Sequence, residues 1–189
     1  MKITVKSITE SKRVLDKCRL TVNKEPSKNS RPSTVFLDNI YMSEHSPIRE
    51  KLFDVYIEDI PYCISTHFVR HHQGIEKYVT TSRSDRTDIT DRSQRSQMDL
   101  VSMGMTVNSQ ALINMSKVRL CWCADKDARK VMFEIVRQVK ELEPELGSKL
   151  VPSCVYRGFC SEGNENCGYS REFLKDWRKE YLNGRKQIL

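Results

Sequence analysis

Hydrophobic and polar residues alternate along two segments of the chain and recur at helical spacing along several others. Ile3 and Val5 share one side of residues 1–7, and residues 53–57 alternate in the same way. Both segments predict β-strands that bury one face. Helical spacing predicts helices elsewhere: residues 9–20, a helix capped by Ser33 or Thr34 that runs to Met42, one after Pro61, one after Asn108, one over residues 125–146, and a last one carrying Phe173, Trp177 and Tyr181.

The segment from Pro61 to Arg83 concentrates ionisable side chains. In the helix predicted after Pro61, Ile64 and Phe68 share one face, while His67 and His71 share another at the same spacing. Gly74 ends the helical pattern, and residues 78–81 favour an extended segment. The pattern therefore predicts a helix whose last turn presents three basic residues to an anion: Arg70, His71 and His72.

A second polar group lies in the helix predicted after Asn108. Asn108 is a good N-cap, and an apolar stripe along this helix predicts its buried face. Gln110 and Asn114, four residues apart, project from a different side. These polar residues are either ligand-binding groups or simply the exposed face of an amphipathic helix.

The net charge of +7 indicates anionic partners, either nucleic acid or small phosphorylated ligands. Basic residues cluster most tightly between Arg83 and Arg95, where they mix with acidic residues instead of forming one run with interleaved aromatics. Nucleic acid is therefore the less favoured partner. No segment approaches the roughly 18 apolar residues that cross a bilayer, and the N-terminus lacks a signal-peptide pattern, so a cytoplasmic location is expected.

Five of the seven cysteines lie between residues 121 and 167. The odd total and the lack of an export signal argue against a disulfide framework. Two interpretations remain, free thiols or a structural zinc site, because turns between cysteines can bring thiolates to a tetrahedral metal. The zinc hypothesis names four ligands: Cys121, Cys154, Cys160 and Cys167.

The two polar segments resemble the signatures of the flavin-dependent thymidylate synthases. Arg70-His71-His72 takes the place of the family's R-H-R, residues 80–83 take the place of its S-x-R end, and Asn108, Asn114 and Arg119 match a T-V-N-x-x-x-L-x-N-x-x-x-x-R pattern. His72 and Gln110 stand where the family has arginine, and Ile75 stands where it has serine. The chain is most similar to divergent versions of the signature from bacteriophage genomes.

The resemblance implies an α+β domain over residues 1–150, with a mixed sheet and packed helices, assembled as a homotetramer. Residues 151–189 would form a cysteine-bearing tail and a C-terminal helix. The implied activity is methylation of dUMP to dTMP, with FAD as cofactor, methylenetetrahydrofolate as carbon donor and NADPH as reductant. No protein nucleophile is required, because the cofactor carries the difficult chemistry. A phage-encoded member would act in the cytoplasm of the host cell.

The resemblance also assigns roles to residues. Arg70, His71 and Arg119 would be catalytic. FAD would be held by Ser46, Arg70, His71, His72, Asn108, Gln110 and Asn114. The nucleotide would be held by His67, Thr80, Thr81, Ser82, Arg83, Arg92 and Arg119, with Arg83 and Arg119 gripping its phosphate.

Two alternatives remain at this point. A divergent homologue could bind a pyrimidine nucleotide without this activity, or make a modified pyrimidine such as a hydroxymethylated one. A basic nucleic-acid-binding protein could also use the same fold. Bound flavin distinguishes the enzyme from the last alternative, for which steep salt-dependent DNA affinity is expected instead.

Overall fold

Four strands form one antiparallel sheet in the computed structural model, which describes residues 1–26, 29–83, 85–88, 91–183 and 185. The strands are β1 (Lys2–Ser7), β2 (Leu52–Pro61), β3 (Ile75–Val79) and β4 (Leu100–Asn108), in the spatial order β1-β2-β4-β3. Alternate residues of β2 and β4 are buried, as expected for a sheet that is covered on one face. The two strands that alternation predicts are confirmed.

The α+β class is confirmed, but the expectation of a mixed sheet is wrong for the described strands. All three strand pairs are antiparallel, with Ile3 opposite Ile57, Tyr56 opposite Gly104, and Gly104 opposite Tyr78. Alternation along one strand specifies which face is buried and carries no information about the direction of its neighbour. The direction of each strand relative to its neighbour depends on the connection between them.

The helices agree with most of the predicted segments. They are α1 (Lys12–Thr21), α2 (Thr34–Ser43), α3 (Tyr62–Val69), α4 (Ser109–Arg119), α5 (Lys126–Leu142), α6 (Pro144–Gly147), α7 (Ser153–Arg157) and α8 (Arg171–Leu182), with a 3-10 helix at Ser46–Glu50. Ser33 and Asn108 are the N-caps, as predicted, and accept hydrogen bonds from the N–H groups of Phe36 and Ala111. No helix in the described part of the chain is long and apolar enough to cross a membrane.

Helix α5 packs against β1. Met132 and Ile135 on its apolar side are fully buried, whereas Leu142 near its end is exposed. Gln138 of α5 accepts a hydrogen bond from the Val5 N–H at 2.8 Å and donates one to the Ile3 carbonyl at 2.9 Å. The amide of Gln138 thus satisfies backbone groups on the edge strand, which lacks a second neighbouring strand.

A buried ion pair connects the start of β2 to the end of α5. Lys51 Nζ lies 2.9 Å from a carboxylate oxygen of Glu143, and both side chains are almost inaccessible to solvent. Ser11 donates to the same carboxylate at 2.6 Å, and the Tyr41 hydroxyl lies 3.3 Å from its other oxygen. Burial and the neighbouring Glu143 raise the pKa of Tyr41, so its hydroxyl keeps the proton that it donates.

Residues after Val151 form a smaller hydrophobic cluster beside the main core. Its buried members are Val151, Val155 and Tyr181, and Trp177 contacts both clusters. Trp177 also stacks on Phe133 of α5, with ring centroids 6.0 Å apart. The predicted packing role of the last helix is confirmed. The boundary at residue 150 stays a prediction.

Candidate functional site

The turn between α3 and β3 holds the basic residues of the first polar segment. Helix α3 ends at Val69, and Arg70 is its C-cap. His71 and His72 therefore lie in the turn and not in the last helical turn, which corrects the prediction for this segment. Ile64 and Phe68 are buried, as expected from their shared face.

Gly74 joins the two polar segments. Its φ of +71° lies in the left-handed region that favours glycine. The Asn108 N–H donates to the Gly74 carbonyl at 3.0 Å, and a Cβ added at Gly74 would lie 2.3 Å from Asn108 Nδ2. The Asn108 side-chain oxygen also caps α4 through the Ala111 N–H at 2.9 Å. The capping residue of α4 thus also fixes the turn that carries the histidines.

Replacing Gly74 with alanine is expected to lower the free energy of unfolding by about 1–3 kcal/mol from backbone strain, and further because of the collision with Asn108. Gly163→Ala is the matched control, because Gly163 also has a positive φ, +60°, and has no atom within 4 Å of an added Cβ. Urea unfolding of both variants measures the difference. Equal losses would contradict a specific role for the contact between Gly74 and Asn108.

Arg119, the last residue of α4, brings two histidines together. Its Nε donates to His71 Nε2 at 3.1 Å, and its Nη1 lies 3.4 Å from His67 Nδ1. The three residues are half-buried. Arg119 and these histidines were selected separately from sequence, and the structure places them in direct contact.

Burial and the surrounding positive charges keep the imidazole of His71 neutral. Burial, then the positive charges of Arg119, Lys77 and His72, lower the pKa of His71 to about 4. Burial and the neighbouring Arg70 also lower the pKa of Arg119. Within the described part of the chain, Arg70, Lys77 and Arg119 form no ion pair with an acidic side chain. We call the group of His67, Arg70, His71, Lys77 and Arg119 the basic cluster.

The lowered pKa of His71 predicts a loss of stability in mild acid. Below about pH 6.5 the unfolded chain takes up a proton on this histidine, while the folded chain takes it up only near pH 4. The free energy of unfolding should therefore fall between pH 6.5 and pH 4, by on the order of 1 kcal/mol, because solvent screens a half-buried ring. Urea unfolding at pH 7 and pH 5 measures it. The loss should shrink in His71→Gln and persist in His45→Gln, a change at an exposed histidine.

Lys77 was missed by the sequence analysis. Its ammonium group donates to the Val69 carbonyl at 3.2 Å and to the His71 carbonyl, and lies 3.3 Å from His72 Nδ1. The sequence pattern could have identified Lys77, because it alternates with exposed residues and shares the inward side of β3 with Ile75 and Val79. A lysine at such a position either needs an internal partner or lines a site.

Some residues assigned to FAD lie at the turn between α3 and β3, and the others lie around Glu44. Asn108 lies against Gly74, as described above. Gln110 donates to the Glu44 carboxylate at 2.5 Å and to Asn114 Oδ1 at 3.3 Å, and Lys117 donates to the other oxygen of Glu44 at 2.8 Å. Asn114 itself is exposed. Ser46 is also exposed, two residues after Glu44, which was missed by the sequence analysis.

The residues assigned to the nucleotide phosphate extend away from the basic cluster. Thr80 continues the pairing of β3 with β4, with its N–H bonded to the Ser102 carbonyl at 2.9 Å. Arg83 binds the Asp85 carboxylate through two N–H groups, at 2.9 and 2.8 Å. Residues 80–83 follow the C-terminal end of β3, whereas His71, the residue that Arg119 contacts, precedes its N-terminal end. Arg83 and Arg119 therefore lie toward opposite ends of a strand about 15 Å long.

The remaining nucleotide ligands have few described contacts. Thr81 accepts a hydrogen bond from the Arg83 N–H at 3.2 Å, and Ser82 is half-buried beside it. The side chain of Arg92 lies outside the part that the structure describes, so its role stays a prediction.

The structure does not support the predicted zinc site. No three His, Cys, Asp or Glu side chains among the described residues are grouped to hold a metal ion, and the seven thiols are free. Cys121, Cys154, Cys160 and Cys167 instead lie around the wall of a cavity of about 690 Å³. Cys160 is exposed, whereas Cys121, Cys154 and Cys167 are half-buried.

Aromatic packing holds the tail in place of a metal. The Tyr169 hydroxyl donates to the Leu120 carbonyl at the end of α4, at 2.8 Å. The Tyr169 and Trp122 rings meet edge to face, with centroids 5.4 Å apart. Gly168 packs so closely on Trp122 that an added Cβ would lie 2.2 Å from its ring. These contacts connect the tail to the helix that carries Arg119.

Two proteins of known activity are similar to this chain in sequence. The chain is 36% identical over 70 residues to the flavin-dependent thymidylate synthase of Clostridium tetani, and 27% identical over 82 residues to that of Saccharolobus solfataricus. These segments cover 37% and 43% of this chain, but only 28% and 31% of the two relatives. The chain thus matches about a third of the length of these relatives. No family model matches it.

Solved structures show the same fold. Thymidylate synthase X from Helicobacter pylori, determined with FAD and dUMP, aligns with a TM-score of 0.65 over 79% of this chain and 99% of that chain, at 10% identity. The UMP/dUMP methylase PolB from Streptomyces cacaoi, bound with 5-Br dUMP, aligns with a TM-score of 0.59 over 84% and 96%, at 11% identity. The resemblance indicated by the two polar segments is confirmed: the chain is related in sequence to the flavin-dependent thymidylate synthases and has their fold.

Proposed function

We propose that the protein binds FAD and methylates dUMP to dTMP, with methylenetetrahydrofolate as carbon donor and NADPH as reductant. One observation supports this most strongly. The basic cluster collects several cationic groups and two histidines at one place, without an acidic partner among the described side chains. Partly buried cations without counter-charges repel one another, and a bound phosphate would relieve that repulsion.

The chain's own groups fit the anionic parts of both ligands. Arg119 and Arg70 would bind phosphate oxygens, because a guanidinium can donate two hydrogen bonds at once. Neutral His71 accepts from Arg119 and so orients that guanidinium. Asn114, exposed on α4 beside Gln110, leaves its amide N–H groups for a heterocycle. Bound FAD would supply the hydride chemistry and the route for the one-carbon unit, and the protein supplies binding and orientation.

A complete site requires more than one copy of the chain under this proposal. Arg83 and Arg119 are predicted to grip the same phosphate, yet they lie at opposite ends of β3 in one chain. A homotetramer, in which one copy supplies Arg119 and another supplies Arg83, reconciles the predicted roles with the geometry. Light scattering of the purified protein measures the assembly. The reaction is expected to take place in the cytoplasm, including that of an infected host if the chain is phage-encoded.

The flavin spectrum of the purified protein tests the proposal. The expected result is a yellow protein with flavin absorbance, either as purified or after incubation with FAD, whose spectrum changes when dUMP is added. The His71→Ala variant should bind less flavin while its far-ultraviolet circular dichroism is unchanged. Failure of the wild-type protein to take up FAD would contradict the proposal. Steep salt-dependent DNA affinity of a colourless protein would favour the nucleic-acid alternative.

A second candidate substrate is a different pyrimidine nucleotide at the same site. Two observations favour it: the aligned PolB structure is of a UMP/dUMP methylase, and this chain has His72 and Ile75 where the signature has arginine and serine. The product could then be a methylated or otherwise modified pyrimidine. Parallel titration with dUMP and UMP distinguishes the two, since the preferred nucleotide perturbs the flavin spectrum at the lower concentration.

A further inference from the structure

A cavity lies between α7 and α8, next to the cavity of about 690 Å³ that Arg119 also lines, and the two share Cys154 and Cys160 in their walls. The volume of the cavity between α7 and α8 is about 750 Å³, within the range of cavities that bind small molecules. Apolar side chains form one part of its lining: Val155, Leu174, Leu182 and the ring of Phe159, which is 63% exposed. The polar part of the lining is basic, and no acidic side chain contributes to it within the described residues.

Helix α8 segregates its charges by a four-residue pattern. Its sequence reads REFL-KDWR-KEYL, so a basic, an acidic and an aromatic residue each recur every fourth position, while the last position holds Leu174, Arg178 and Leu182. Trp177 and Tyr181 pack toward the core, whereas Phe173 is exposed, and the acidic positions form a row next to the basic one. The basic row, Arg171, Lys175 and Lys179, lines the cavity.

The basic row has no counter-charge of its own. Glu172 is three residues before Lys175 and Asp176 is three before Lys179, a spacing that permits ion pairs, yet neither pair is formed. Among the described side chains, none of the three cations has an acidic partner. Like charges four residues apart destabilise a helix by a few tenths of a kcal/mol for each pair. An anion in the cavity would offset that repulsion.

Arg178 adds a fixed positive charge beside the row. Its guanidinium donates to the Tyr156 carbonyl at 2.8 Å and to the Val155 carbonyl, at the end of α7. Gly158 makes this position possible, because an added Cβ would lie 3.1 Å from Arg178 Nη2. The cavity therefore has Arg178 held in place beside three exposed cations, which are spread over about 12 Å of helix. A fifth cation in the lining, Arg185, is paired with Asp38 at 2.6 Å.

From this arrangement we propose that the cavity between α7 and α8 binds a nucleoside triphosphate, separately from the site of the basic cluster. Several cations in a row suit a chain of phosphates better than a single carboxylate, which would use only one or two of them. The exposed Phe159 ring and the apolar lining suit a base, since bases stack on aromatic side chains. The inference does not depend on the proposed activity.

Calorimetric titration of the full-length protein with ATP and with dTTP tests this proposal. At least one is expected to bind, and the Lys175→Glu/Lys179→Glu double variant should bind it at least tenfold more weakly. The Lys6→Glu/Lys24→Glu variant is the matched control, because it makes the same change in net charge at two exposed lysines outside the cavity, and its affinity should be unchanged. All four lysines are exposed, so the folds are expected to survive, and circular dichroism checks this.

Two further variants test where the triphosphate binds and whether its base contributes to binding. The Arg119→Ala variant should retain triphosphate binding, so its loss there would assign the ligand to the basic cluster and overturn the proposal. Phe159→Ala should weaken the nucleotide while leaving inorganic tripolyphosphate unaffected. The proposal would be overturned by absence of nucleotide binding, or by equal binding of tripolyphosphate and nucleotide. Loss of dUMP or FAD binding alone would leave it intact.

Discussion

Replacing Arg119 with alanine is expected to weaken dUMP binding by about 1.5–3 kcal/mol, the range for hydrogen bonds to charged groups. This corresponds to roughly a 10- to 150-fold increase in Kd. Arg119 is the cation that contacts both His71 and His67, so its removal takes away the proposed phosphate ligand and also a positive charge beside His71. The pKa of His71 should therefore rise in the variant.

Calorimetry with dUMP and with deoxyuridine measures the first effect, and NMR titration of the histidine ring measures the second. Deoxyuridine lacks the phosphate and should bind the variant and the wild type similarly. Arg157→Ala is a suitable control, because Arg157 is an exposed arginine near the same end of α4 and has no contact with His71. Equal losses for the nucleotide and the nucleoside would show that Arg119 acts through folding.

Replacing Glu143 with alanine is expected to lower the free energy of unfolding by about 3–5 kcal/mol. The carboxylate is buried with Lys51, and the variant would leave the lysine ammonium in the interior without its counter-charge. Ser11 and Tyr41 would also lose their acceptor. Glu143 lies outside the basic cluster, so the variant should lose stability and not ligand binding.

Urea unfolding measures this loss against Glu141→Ala, which removes an exposed carboxylate paired with Arg137 on the same helix and should change stability by less than about 1 kcal/mol. A Lys51→Met/Glu143→Leu double variant should recover much of the lost stability, since an apolar pair can replace a buried ion pair. A small loss in Glu143→Ala would show that water or another group already compensates Lys51.

Much of the fold was predictable because local patterns determine it. Alternation identified β1 and β2, and the capping preferences of Ser33 and Asn108 placed the starts of α2 and α4. The end of α3 was misplaced because a tertiary contact determines it. Gly74 must accommodate Asn108, which is distant in sequence, and the histidines are drawn into the resulting turn.

The site was predictable in its residue types and less so in its contacts. The resemblance selected His71 and Arg119, and the structure adds that they touch. The resemblance could not identify Lys77 or Glu44. Their roles depend on the direction in which their side chains point from β3 and from the end of α2. The cysteine spacing suggested a metal, whereas the structure connects the tail to the end of α4 through Trp122 and Tyr169, and aromatic packing has no comparable spacing rule.

The distance in sequence between the contacting residues has a consequence for folding and for length variation. The His71–Arg119 hydrogen bond joins residues 48 positions apart, and the connection between β3 and β4 lies within that interval. Such non-local contacts slow folding, because a large loop must close before they form. Loop-closure entropy nevertheless grows only logarithmically, so doubling that connection costs only about 0.6 kcal/mol. Relatives can therefore lengthen or shorten it by many residues while the basic cluster keeps its geometry.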